Sequence, residues 1–273
     1  MADIISASHD VVFKALFVRH RDILRAFIRD MLDLPLTDDD EVIVLNPEEI
    51  PNYAEGKLSR LDIHVNMANR KFNIEMQSTK KGFSIERVLY YWSKMYADDL
   101  DSGKKYESLE QTYSINVLGF NYFDCKEYNS SYSIMENTRY EQLTDKLSIH
   151  IFELPKVPKE MIIGDKKQKW MELIKADSEE ALEMVRTTTE NPAIKKGIDA
   201  VYELSADTIL REAIRQRDKA IHDYENDIAT AKDEGSIATL VSLVRKGILT
   251  LAQAAEEANM SISEFENKTG LKS

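Results

Sequence analysis

The chain has 273 residues, 43% hydrophobic and 31% charged, an ordinary globular composition with enough length for one large domain or a main domain with an appendage. A net charge of −12 argues against a surface coated for nucleic acid, no apolar run is long enough to cross a bilayer, and "MADIISASHD" lacks the pattern of a signal peptide. A single cysteine, Cys125, excludes a disulfide within this sequence and fits a reducing cytoplasm, and five scattered histidines offer no zinc spacing.

In chain order, "SASHDVVFKALF" predicts a helix capped by Ser8, with Val12, Phe13, Leu16 and Phe17 as its apolar stripe. "RDILRAFIRDML" predicts a second helix that stops at Pro35. "EVIVLNPEEI" predicts a short strand ended by Pro47 and Pro51. "RLDIHVNMANRKFNIEMQ" reads as a hairpin, followed by a helix from about Ser84 to before Gly103. "TYSINVLGFNYF" is a candidate central strand, and "SSYSIMEN" and "LSIHIFELPK" add two more. From about residue 165 the periodicity is helical throughout: four helical stretches, the last a long helix over 207–231, then three short helices in the final segment.

The hairpin raises a chemical question. Leu61, Ile63, Val65 and Met67 share one face with Phe72, Ile74 and Met76, and a turn at Ala68-Asn69 sets Val65 against Phe72 and Ile63 against Ile74. The same register sets Asp62 against Glu75, with Cβ atoms roughly 4.5–5.5 Å apart. Two facing carboxylates repel unless one is protonated or a cation bridges them, and a hard divalent ion such as Mg²⁺ suits such a pair. Solvated acids neutralised by Lys57, Arg60 and Lys71 are the plainer explanation. Between Gly56 and Arg87 seven cations face three anions, so the hairpin lies in a local basic island. His64 shares the polar face and is expected to hydrogen-bond a neighbour. The aromatic run Tyr90, Tyr91, Trp92 and Tyr96 is expected to pack in the core.

"DVVFKALF", "GKLSRLDIHV", "FNIEMQ", "RVLYYWSKMY" and "IHIFELPK" together resemble the Rpn-type recombination-promoting nucleases, also labelled PD-(D/E)XK nuclease family transposases, from about Asp10 to "AKDEG" at 231–235. The resemblance implies an α/β, restriction-endonuclease-like mixed sheet flanked by helices, with an all-helical C-terminal part. It implies that Asp62 and Glu75 are the metal-binding carboxylates, and that Gln77 falls where the wider superfamily has its lysine. A neutral amide can orient water but brings no positive charge. Arg87, Lys57 and Lys80 are the candidates to replace that charge, Arg87 first, with an ordinary surface ion pair as its competing role. Lys57, Arg60, Lys80 and Lys81 are candidate phosphate contacts, which position DNA without reading its sequence. Asp10 and Lys14 match the family's first-helix positions, although an acid in a first helical turn also complements the helix dipole.

These readings predict a nuclease core at 1–160, a helical extension packed on it at 161–235, and a small helical tail at 236–273. The tail has helix–turn–helix proportions, yet its second helix offers Glu264 and Glu266, which repel phosphate, so it is expected to serve a protein contact or homodimer. The expected activity is that of a Mg²⁺-dependent (or other divalent-cation-dependent) DNA endonuclease linked to recombination or mobile elements. A degenerate DNA- or protein-binding relative is the rival from another class, and an RNA-directed nuclease the rival within this one.

Overall fold

The structure is a computed structural model that describes residues 3–46, 62–98, 100, 105–158, 160, 165–246 and 248–271; at 224, 225, 227, 228 and 231–233 it describes the backbone alone. The described residues divide into two compact units, one reaching Ile214 and the other covering 215–271. Among them no helix is long and apolar enough to cross a membrane.

The first unit is built on a six-stranded mixed sheet of β1 (Ile43–Val44), β2 (Ile63–Met67), β3 (Arg70–Gln77), β4 (Gln111–Leu118), β5 (Asn129–Tyr132) and β6 (Leu147–Glu153), in the order β1-β2-β3-β4-β6-β5. β3, β4 and β6 run parallel, while β1, β2 and β5 pair antiparallel to their neighbours. The central position expected for "TYSINVL" is where β4 lies. Central parallel strands are covered on both faces, which is why β3 and β4 are buried along nearly their whole length.

One face carries α1 (Asp10–Arg19), α2 (Arg21–Leu32), α4 (Lys166–Lys175), α5 (Glu179–Thr188) and α6 (Pro192–Ala206), whose apolar residues share a core with Ile63, Val65, Phe72, Ile74 and Ile115. Phe13, Phe17, Phe27 and Trp170 pack edge-on or tilted in that core. Buried Asp30 ties three of its helices together, accepting from Trp170 Nε1 at 2.9 Å and Asn191 Nδ2 at 2.7 Å. The other face carries α3 (Ile85–Ala97), whose Val88 packs with Leu118, Ile149 and Ile151.

Three local expectations are corrected. The cap of α1 is His9, whose side chain accepts from the Val11 N–H; Ser8 turns away to bond Ser6. Tyr90 is exposed, since the helical twist carries it round from Trp92, which does enter the packed layer and donates Nε1–H to the Thr112 carbonyl. The long helix does not end near 231. α7 runs from Thr208 to Arg245 through Gly235, so among the described residues α8 (Leu251–Glu257) and α9 (Ile262–Thr269) alone follow as separate short helices. The second unit packs Ala254, Ala255 and Phe265 against Leu240, Val241 and Val244, with capping boxes at Thr250 and Ser261.

Candidate active site

The hairpin register is the one that alternation predicts: Ile63 pairs with Ile74, His64 with Asn73, and Val65 with Phe72. Ala68 and Asn69 both have positive φ, 52° and 55°, as a two-residue hairpin turn of matching twist requires. Asp62 lies one residue before the ladder begins, so the same register puts it level with Glu75. Asn46 fixes it there. Its Nδ2 donates to the Asp62 carbonyl at 2.7 Å and its Oδ1 accepts from the His64 N–H at 2.8 Å, so one side-chain amide stands in for a neighbouring strand. Nothing in the spacing of "LNPEEI" marks Asn46 for this role.

Each carboxylate has a basic partner. His64 Nε2 is 2.7 Å from Asp62 Oδ2, and the Arg87 Nη2–H donates to Glu75 Oε1. Burial opposes ionisation of Asp62. The hydrogen bond and charge of His64, followed by its own backbone and by Lys14 of α1, nonetheless hold its carboxyl below the usual carboxylate range. Lys14 is itself buried, a charge placed inside the apolar face of α1. Arg87 reaches Glu75 from the first turn of α3, which Ser84 caps by accepting from the Arg87 N–H. Arg87 Nη1 also donates to the Gly82 carbonyl at 2.8 Å, where φ is +77°. Arg87 thus takes the competing role foreseen for it, a helix cation paired with a nearby acid, and the acid is Glu75.

Gln77 ends β3, and its Nε2 donates to the Thr79 carbonyl at 3.2 Å. Beside it the chain leaving β4 comes so close that a Cβ on Gly119 would stand 3.0 Å from the Ser78 carbonyl oxygen. Ser78 Oγ donates to the Ser8 carbonyl at 3.1 Å, which brings the start of α1 to the end of β3. There the Val11 N–H, which the His9 cap also accepts, donates to Asp10 Oδ1 at 2.9 Å, and Asp10 is the acid in the first turn of α1, where it complements the helix dipole. Lys80 and Lys81 are exposed on the turn after β3, Lys80 with its ammonium 5.8 Å from the centre of the Tyr122 ring. Lys57 and Arg60 lie outside the described residues. Cys125 is an exposed free thiol.

The donor set fits a hard, oxygen-seeking ion: two carboxylates level on adjacent strands, one of them kept ionised. Among the described residues no group of three or more His, Cys, Asp or Glu is placed to hold a metal, but Mg²⁺ takes one or two carboxylates and completes its shell with water and phosphate oxygens. The residues the sequence left without a role here are Asn46 and the buried Asn116 on the face beneath α3, where Asn73 of the hairpin's polar alternation is buried as well. Their only advance signal is that an amide is an unusual occupant of a covered strand.

No curated protein and no solved structure matches the chain. A model of one family, described as PD-(D/E)XK nuclease family transposase, matches residues 7–231. With the mixed sheet, the hairpin carboxylates at its end and a match over most of the chain, the protein belongs to the PD-(D/E)XK nuclease family transposases.

Proposed function

We propose that this nuclease-family chain is a Mg²⁺-dependent DNA endonuclease in which Asp62 and Glu75 bind the divalent cation, acting in recombination or mobile-element biology as its family description suggests. The observation that carries this reading is the β2–β3 register, which ends at Ile63 against Ile74 and, extended by one residue, brings Asp62 level with Glu75. Such an ion, when bound, makes a water nucleophilic and neutralises charge on the phosphate. Asp62 contributes a carboxylate held ionised by His64 and Lys14. Glu75 contributes a second one, which Arg87 orients from α3. Gln77 has an amide that can direct a water, and its lack of charge is offset by Arg87 acting through Glu75 and Lys14 acting through Asp62. Lys80 and Lys81, with Lys57 and Arg60, supply phosphate contacts that position the duplex.

The test is nicking of supercoiled plasmid with and without Mg²⁺, with Asp62→Asn and Glu75→Gln beside the wild type. Loss of cleavage in both variants, together with loss of Mn²⁺ binding by calorimetry, is expected. Full activity in either variant overturns the assignment. The non-catalytic reading draws on the fact that both acids already have partners within the chain. Wild-type protein that binds DNA, ignores Mg²⁺ and never nicks would establish it.

A further inference from the structure

The sheet face beneath α3 carries a polar run where an apolar one is the rule. Lys71, Asn73 and Glu75 of β3 stand in register with Thr112, Ser114 and Asn116 of β4, and all six are at least nine-tenths buried. Some of this polarity is matched. Lys71 Nζ donates to the Met95 carbonyl of α3 at 2.9 Å, and Asn116 Nδ2 donates to Ser114 Oγ at 3.0 Å and to the His150 carbonyl at 3.3 Å. A carbonyl can only accept, so that contact fixes which way the Asn116 amide points, with Oδ1 turned elsewhere. Asn116 Oδ1 then finds no hydrogen-bond partner among the described residues. Neither does Asn73 Oδ1, nor Arg87 Nε.

These three atoms belong to one neighbourhood. Asn116 is the register partner of Glu75, Asn73 is two residues from Glu75 on the same face, and Arg87 is bonded to Glu75 itself. The neighbourhood needs two donors and one acceptor. An anion would face two amide oxygens. A cation would face the ammonium of Lys71 and the guanidinium of Arg87. An apolar group would leave all three polar atoms unmet. Water has two O–H donors and lone pairs to accept, and buried waters typically make about three such bonds.

We propose that an internal water sits beneath α3, donating to Asn73 Oδ1 and Asn116 Oδ1 and accepting from Arg87 Nε–H. It completes the bonding of the guanidinium and holds it on Glu75. Asn73 and Asn116 are thereby positioning residues; their link to metal binding, though not the water itself, rests on Glu75 being a cation ligand.

A crystal structure of the full chain at a resolution that orders internal waters is the direct test: density within hydrogen-bond reach of all three atoms is expected, and an empty site overturns the proposal. Asn73→Leu gives an independent reading, because among the described residues Asn73 makes no other side-chain bond that the substitution would remove. With the water present, leucine expels it, lowers the melting temperature and frees Arg87 to yield Glu75, so that Mn²⁺ binds several-fold more tightly. With the site dry, leucine replaces an unmet buried acceptor by an apolar group, the melting temperature rises and Mn²⁺ affinity stays put; that result sinks the proposal. Asn73→Ser, which leaves room for a second water, should recover most of the lost stability. If the wild type binds no Mn²⁺ at all, the metal reading fails, and the crystallographic site and the melting temperatures still decide the water.

Discussion

At Glu75 the sign of a mutational effect turns on the partner. Two facing acids by themselves would make Glu75→Gln neutral or slightly stabilising, because a like-charge contact disappears. The Arg87 pair reverses that expectation: the substitution leaves a largely buried guanidinium facing a neutral amide. Glu75→Gln should therefore lower stability by about 1–3 kcal/mol in urea unfolding as well as abolish cleavage. An unchanged midpoint would mean that the pair contributes nothing. Lys14 makes a second case. Lys14→Met removes a buried positive charge that Asp62 senses, and because that carboxyl already lies below the usual range, losing the repulsion toward a second cation should tighten Mn²⁺ binding several-fold by calorimetry, with Lys14→Arg close to the wild type. Equal affinity in all three proteins would remove Lys14 from the site.

Among elements, the hairpin was legible and its surroundings were not. A period of two fixes the faces of β2 and β3, and a two-residue turn fixes their register, so the level placement of Asp62 and Glu75 follows from local pattern alone. Asn46 and Asn116 act across the fold, and neither periodicity nor spacing encodes which amide the tertiary structure will bring to a carboxylate; Lys14 was marked by the resemblance alone. The cap of α1 and the end of α7 escaped for another reason: glycine and serine signal breaks on average, and packing or helix continuity overrides them at a given site. The hairpin turn and the continuity of α7 can each be checked. Ala68 is held at φ 52°, so Ala68→Gly should stabilise by about 0.5–1 kcal/mol without altering cleavage. Gly235 lies inside α7 with nothing within 4 Å of an added Cβ, so Gly235→Ala should raise helix content and stabilise by about 1 kcal/mol; a loss would place a chain break there.

At the scale of the molecule, the DNA binding proposed above would rest on the few cations of the hairpin region within an acidic chain, so its affinity should fall with salt along a shallow slope. Acid sensitivity has a separate origin. Burial pulls the His150 imidazole from 6.5 down to about 4, with nearby Lys167 adding to the shift and Asp33 opposing it. In the unfolded chain the imidazole takes its proton first, so its contribution to stability is complete above about pH 6.5 and is lost as pH falls toward 4. Urea midpoints across that window should drop by an amount corresponding to roughly 2–3 kcal/mol, and His150→Gln should flatten part of the slope.

The amide of Asn46 has a further consequence. Its planar amide bonds the Asp62 carbonyl and the His64 N–H at once, so the strand end that carries Asp62 is latched just beyond the last β1–β2 pair. Chain ends and strand ends are where local opening starts, and a latch there keeps one carboxylate still against the other. Any motion that swings Asp62 away from Glu75 must first break that amide's bonds, so the spacing of the two acids and the seating of a single side chain open and close together.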